Sequence, residues 1–455
     1  MYLREPPWQW DVAAAVVGAV LALAVGLLLR ARDSHAHRRG SLVLDGARAR
    51  RERTSRRRRY GTGALTLAQV ALAPLDETKH FKLIGTTGTG KSTAIQELLG
   101  GALERGDKAV IADPDGGYLA RFQARDDVIL NPFEPRSRKW DPFAEIREIY
   151  DVEMLAASLM PGGEDSSGRE WRGYARTFFT AVTRRCFREG RCDVAELWRL
   201  LLIAPVTELY PLVAGTPAQP FLEADNARMF GSIRSIAGSS LAALEHVAAQ
   251  RAPGFSVRQW VREGHGVLFL PYRATQIAAL HSIIATWVRL AIFEAMNGPE
   301  QDRRLWLIVD ELDALGPIDG LKDALARLRK FGGRCVLGFQ SAAQVSALYG
   351  PDAQTVIENC GNTLVLRCSS SEHGGTSQFA ARLIGDREVM RRQKSRGRDT
   401  QGMFAGNAVR RSTHINEHYV TEPAVMPSEL EQLPDLSGYL KTASSPAWLK
   451  VRLAR

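Results

Sequence analysis

Phe81-Lys-Leu-Ile84-Gly85-Thr-Thr-Gly-Thr-Gly90-Lys91-Ser92-Thr93 is an apolar run that breaks into glycines and closes on a lysine and two hydroxyls. From Gly85 it matches G-x-x-x-x-G-K-[ST] without deviation. The run ahead reads as a buried strand. Behind it, Ile95, Leu98, Leu99 and Leu103 fall on one face of a helix. Glycines let successive backbone N–H groups converge on phosphate oxygens. A helix start adds partial positive charge at the same place. Lys91 suits the β- and γ-phosphates, and the Ser92 hydroxyl suits a Mg²⁺ ion. Gly85, Thr86, Thr87, Gly88, Thr89, Gly90, Lys91, Ser92 and Thr93 are therefore the candidate ATP-binding residues.

A second apolar run, Leu305-Trp-Leu-Ile-Val309, ends in Asp310-Glu311. Asp310 suits the Mg²⁺ shell, directly or through water. Glu311 suits a base that orients and activates the attacking water. The paired carboxylates point to ATP hydrolysis beyond mere binding. The run at 335–339 ends at Gln340, which can sense a γ-phosphate if its strand neighbours the first. Between these runs Arg327, Arg329 and Lys330 lie on a helix before Gly332-Gly333. Each is either a solvated helix end or a cation reaching a neighbouring subunit's ATP, a role that needs a fixed charge.

Further apolar runs at 109–112, 128–130, 267–270 and 363–366 alternate with helical patterns. They predict an α/β fold with a mainly parallel sheet covered on both faces. The alternation stops between about 145 and 250, where Ala, Leu, Arg and Glu recur at helical spacing, as in Phe178, Val182 and Cys186. That stretch reads as an inserted all-α domain, dividing the sheet domain into 61–144 and 251–455. Residues 387–411, polar and basic without a period, read as an exposed loop.

The amino-terminal end has a different character. Residues 12–29 contain no charged side chain and are near the shortest length that spans a bilayer, about 17–25 residues. Trp8 and Trp10 precede them, and arginines follow. The positive-inside rule then places the bulk of the chain in the cytoplasm, on a single-pass anchor in residues 1–30, with 31–60 a basic juxtamembrane linker. The arginines at 56–59 read as solvated and attracted to anionic lipid. The formal charge of the chain is +10. The first sixty residues hold 13 basic and 5 acidic side chains, so the other 395 carry only +2. Contact with nucleic acid must therefore come from local patches, with Arg228, Arg234 and the cluster at 391–398 as candidates. The five cysteines have no metal-ligand spacing; Cys335 and Cys368, in apolar runs, read as buried thiols.

The ordered series of motifs resembles the coupling ATPases of conjugative type IV secretion, the TraD/TrwB/VirD4 group, in the FtsK/HerA-like branch of RecA-fold motors. Beyond residues 80–92 the resemblance rests on Asp113-Pro-Asp-Gly116, Leu130-Asn-Pro-Phe133, Trp140-Asp-Pro-Phe143, Phe255-Ser-Val-Arg-Gln-Trp260, Leu328-Arg-Lys-Phe-Gly-Gly333, Gly338-Phe-Gln-Ser341 and Glu422-Pro-Ala-Val-Met-Pro-Ser-Glu-Leu430. It implies a RecA-like domain with an all-α insertion, a homo-hexameric ring at the bacterial inner membrane, and DNA bound without sequence preference, single-stranded in a central channel. It also implies a relaxase and secretion-channel proteins as partners. By position it makes Arg329 the trans finger and Gln340 the γ-phosphate sensor. Lys91, Glu311, Gln340 and Arg329 are then the catalytic candidates, with Ser92 and Asp310 on Mg²⁺. Two features depart from the group: one membrane helix where many members have two, and an end soon after the strand pattern at 448–453. A segregation or packaging motor of the same branch, and an assembly protein using ATP as a structural ligand, are the other readings.

Overall fold

Strands with no polar face need cover on both sides, because either exposed face would leave apolar surface in water. The computed structural model describes residues 35–162, 166–299, 303–371, 375–399 and 410–454. In it the apolar runs form the centre of one ten-stranded sheet, whose strands include β1 (Phe81–Ile84), β2 (Lys108–Pro114), β3 (Val128–Ile129), β4 (Val267–Tyr272), β5 (Leu305–Val309), β6 (Gly333–Phe339), β7 (Asn362–Val365), β8 (Ser437–Lys441) and β9 (Ala447–Arg452). Their order is β9-β8-β7-β1-β6-β5-β2-β4-β3. From β7 to β3 every pairing is parallel. The hairpin of β8 and β9 adds antiparallel to β7. β1 lies between β6 and β7, so the strand ending at Gln340 does neighbour the strand leading into Gly85.

One face packs on helix α2 (Lys91–Glu104). Ile95, Leu98 and Leu99 join Leu83, Ile111, Phe269, Trp306 and Ile308 in a single apolar cluster. Each such side chain contributes about 1.5–3 kcal/mol on burial. The other face is covered by α9 (Ile277–Ala295). Among the described residues α9 is the one helix long and apolar enough to cross a bilayer, and two thirds of that stretch is buried inside the fold. The apolar stretch at 12–29 lies outside the described residues.

Between Trp140 and Gly254 the described residues form helices and 3-10 turns only: α4 (Asp151–Leu159), α5 (Ser166–Arg188), α6 (Val194–Leu202), α7 (Val206–Val213) and α8 (Ala227–Ala249). Phe178 of α5 meets Phe230 of α8 edge to face, with centroids 5.1 Å apart. At the base of this insertion Lys139–Trp140 pairs with Gly254–Phe255. Glu145, buried beside them, accepts from the Trp140 indole (2.9 Å), the Ser256 hydroxyl (2.9 Å) and the Val257 and Arg258 amides (2.7 and 3.1 Å). One carboxylate thus ties the outgoing chain to the returning one. Burial pushes its pKa up, and these four donors oppose the shift.

Two expectations are corrected. The stretch 31–60 is not simply a linker: α1 (Gly46–Tyr60) is a regular helix. Ala49 and Arg56, two turns apart, are its buried residues. The Arg56 guanidinium is met by Glu52 (3.0 Å) and Thr442 (3.0 Å), so the run at 56–59 is not uniformly solvated. The other correction concerns 387–411. Asp386–Asp399 and Arg410–Pro423 are 14-residue strands paired along their whole length. Backbone pairing satisfies both chains there without an apolar side-chain pattern. The described residues divide into two compact units, 44–380 with 427–454, and 35–43 with 381–426. Within the latter, His35–Gly40 adds to the long hairpin, and Arg38 and Arg39 pair with Glu388 (3.1 and 2.5 Å).

Candidate nucleotide site

Parallel strands bring their carboxyl ends to one edge, and the loops that follow them meet there. Residues 85–90 leave β1, Asp310 and Glu311 leave β5, and Gln340 leaves β6. Gly90 has φ +116, and a Cβ on it would stand 2.8 Å from Leu453 Cδ1 and 2.9 Å from Leu436 Cδ2. Both backbone and space therefore require glycine there. The outer side of the loop is held by the Thr86 amide donating to the Arg367 carbonyl (2.9 Å) and the Leu436 amide donating to the Thr89 carbonyl (2.9 Å).

Lys91 is buried, and its Nζ donates to the carbonyls of Gly85 (2.7 Å) and Thr86 (3.3 Å). Burial lowers its pKa, opposed by Asp310 and Glu311. Ser92 Oγ donates to Asp310 Oδ2 at 2.6 Å. The Tyr118 hydroxyl donates to the same oxygen at 2.8 Å. Asp310 is 2 % exposed, and its Oδ1 is buried with no hydrogen-bond partner. A hydroxyl beside a carboxylate with one uncommitted buried oxygen fits a Mg²⁺ ion, which takes one or two protein ligands and completes its shell with phosphate and water. Among the described residues no larger cluster of His, Cys, Asp and Glu could hold a metal. Gly338 on β6 makes this packing possible, since a Cβ there would lie 2.2 Å from the Asp310 carbonyl oxygen.

Glu311 is half-buried, and burial raises its pKa; Gln340 opposes that shift, and Asp313 and Asp310 reinforce it. Gln340 Nε2 donates to Glu311 Oε1 (2.9 Å), and its Oε1 accepts from Thr87 Oγ1 (3.0 Å). One amide side chain therefore spans the glycine loop and the carboxylate pair. Thr93 is partly exposed on the first turn of α2.

The arrangement also contains groups that the sequence reading passed over. Asp113, buried at the end of β2, accepts from the amides of Tyr118 (3.1 Å) and Leu119 (2.7 Å). It starts helix α3 (Gly117–Phe122) and so aims Tyr118 at Asp310. Burial pushes Asp113 up to about 6. The Asp-Pro-x-Gly segment is visible as a motif, but nothing in it announces an aromatic hydroxyl on Asp310.

Arg327, Arg329 and Lys330 are exposed and sit just ahead of β6, at the end opposite Gln340. Seven strand residues at about 3.3 Å each separate the two ends by roughly 20 Å. The fold does not bring Arg329 to the site of its own chain. Of the other candidates, Arg228 is exposed on α8. Arg234 lies over the Phe230 ring (5.5 Å) and donates to the Leu201 carbonyl (3.2 Å), which ties it to the insertion's own packing. Arg391 pairs with Glu422 at 2.6 Å. The side chains of Lys394, Arg396 and Arg398 lie outside the described residues. Cys335 and Cys368 are buried free thiols, as are Cys186 and Cys360.

The coupling protein TraD of Escherichia coli (strain K12) is 29% identical over 373 residues, covering 80% of this chain and 51% of its own length. A conjugal transfer protein TraG of Escherichia coli is 22% identical over 408 residues, 78% of this chain and 62% of its own. The chain thus spans about half to three fifths of the curated relatives it matches. Among solved structures, the conjugative coupling protein TrwBdeltaN70 superposes with a TM-score of 0.81 at 30% identity, over 92% of this chain and 94% of that one. TrwB in complex with ADP and Mg²⁺ does so at 0.79, with the same identity and coverage. The sequence profile of the type IV secretion-system coupling protein DNA-binding domain matches residues 64–454, and the chain belongs to that family.

Proposed function

We propose that the chain is an ATP-hydrolysing DNA translocase that couples relaxase-bound DNA to a type IV secretion channel during conjugation. Its relatives, named as coupling and conjugal transfer proteins, support the cellular role. The contact of Ser92 with Asp310 beside the Glu311–Gln340 pair is the observation that supports hydrolysis. In this reading the amides of residues 85–90 cradle the phosphates, and Lys91 exchanges its carbonyl partners for β- and γ-phosphate oxygens. Mg²⁺, held by Ser92 and Asp310, would neutralise charge on those oxygens. Glu311, its proton affinity raised by burial, takes the proton of the attacking water. Gln340 keeps that carboxylate in register with the glycine loop. Arg329 acts on the neighbouring subunit's nucleotide in a homo-hexamer. Residues 12–29 anchor the ring in the inner membrane as a single span, and the insertion at 145–250 belongs to the cytoplasmic body. Single-stranded DNA is gripped in the channel through phosphates, with little base readout.

ATP turnover with and without single-stranded DNA, measured beside transfer frequency, tests this. Lys91→Ala and Glu311→Gln should each lower turnover roughly a hundredfold or more, and both should abolish transfer. Glu311→Gln should still bind nucleotide. Transfer that survives in Glu311→Gln would replace the motor with an assembly role in which ATP is a structural ligand.

A further inference from the structure

Helix α1 carries far more charge than its packing uses. Only Ala49 and Arg56 are buried. Arg48, Arg50, Arg51, Arg57, Arg58 and Arg59 are exposed. Among the described residues none of the six has an ion-pair partner: the one acidic residue of the helix, Glu52, is taken by Arg56 at 3.0 Å.

Beside the helix lies a groove of about 490 Å³ between α1 and β9. Arg50 and Arg53 rim it on one side, and Lys450 and Arg452, on one face of β9, rim it on the other. Ala49 and Val70, both buried, contribute to its floor. Cations over an apolar floor suit an amphiphile with an anionic head. The lining contains no aromatic ring on which a base could stack, the usual device of single-strand binding.

The position along the chain selects a partner. Sixteen residues, 30–45, separate α1 from the uncharged stretch at 12–29. Fully extended they reach about 55 Å at most, so a chain anchored by that stretch holds α1 within that distance of a lipid surface, where docking is an intramolecular event. Anionic leaflets attract such basic segments over a Debye length of about 8–10 Å. We infer that α1 and the groove against β9 form a docking surface for the anionic phospholipid headgroups of a bilayer. This rests on the membrane anchor proposed above. Docking would seat one flank of the ATPase domain on the membrane, with the helix lying along the surface.

The test uses the full chain reconstituted in nanodiscs of phosphatidylcholine alone or with a third phosphatidylglycerol, and follows trypsin cleavage after Arg57, Arg58 and Arg59. Cleavage should be at least fivefold slower in the anionic discs, and 0.5 M salt should remove the difference. The variant R50Q/K450Q/R452Q, which leaves the cleavage sites in place, should lose at least half of the protection. Equal cleavage in both discs overturns the proposal. So does protection by single-stranded DNA in neutral discs without protection by phosphatidylglycerol, which would make the surface a nucleic-acid site. Failure of the chain to enter either disc would count against the anchor alone. Cleavage in the presence of free phosphatidylglycerol vesicles then decides the docking surface separately: protection sustains it, and none overturns it.

Discussion

Asp310 receives two hydroxyl hydrogen bonds on one oxygen, from Ser92 and Tyr118, and keeps the other oxygen uncommitted. Tyr118 orients the carboxylate through its hydroxyl. Tyr118→Phe should therefore raise the half-saturating Mg²⁺ concentration of turnover about tenfold, the equivalent of one hydrogen bond to a charged group. Nucleotide binding measured without Mg²⁺ should stay unchanged. His80 supports a second prediction. It is buried at the entrance to β1; its Nε2 lies 2.9 Å from the Leu325 carbonyl and its Nδ1 accepts from the Cys335 amide at 3.1 Å. Only the neutral ring can do both. Burial lowers its pKa from 6.5 to about 4, with Arg329 adding to the shift. Because the folded value is depressed, the stabilisation is present above 6.5 and is lost as pH falls through 4. The loss is about 3 kcal/mol at pH 4. The difference between wild type and His80→Gln in urea unfolding should shrink by that amount between pH 7 and pH 4.

At the scale of elements, one carboxylate at the base of the all-α insertion joins its outgoing and returning ends. Glu145 accepts four hydrogen bonds from residues on both sides of the insertion. Glu145→Ala leaves those donors buried and unpaired, and should cost about 3–5 kcal/mol of stability. Calorimetry should show an early transition of the helical part separating from that of the sheet. Sequence legibility differed by element for physical reasons. Strands β1, β4, β5 and β6 are buried on both faces and read as plain apolar runs. The paired strands at 386–399 and 410–423 did not, because their pairing is between backbones and their side chains are largely polar. Helix α1 was equally hidden: its contact with the body is an alanine and an arginine, not an apolar stripe.

For the whole molecule, the placement of Arg329 sets the strongest expectation. It lies roughly 20 Å from Gln340 along β6, so any action on nucleotide must cross to another subunit. Arg329→Ala and Lys91→Ala should each be inactive alone, while a mixture of the two should regain part of the turnover, at sites that combine intact residues from different chains. Turnover of wild type should also rise more steeply than linearly with protein concentration. No recovery in the mixture would remove Arg329 from the site altogether.

By itself the sequence determined the glycine-rich turn at 85–92, the carboxylate pair at 310–311 and the interrupted α/β alternation. Each of these is a local requirement: glycine where backbone must turn and approach phosphate, an apolar run where a strand is covered on both faces, helical spacing where one face is buried. What only the tertiary structure decided is which distant groups converge. It set β1 between β6 and β7, so that Gln340 spans Thr87 and Glu311. It delivered Tyr118 from the end of β2 to Asp310, and it left the arginines of α1 facing outward beside a basic groove. Contacts between residues some two hundred positions apart have no local signature, because strand order and helix packing alone bring them within hydrogen-bond reach.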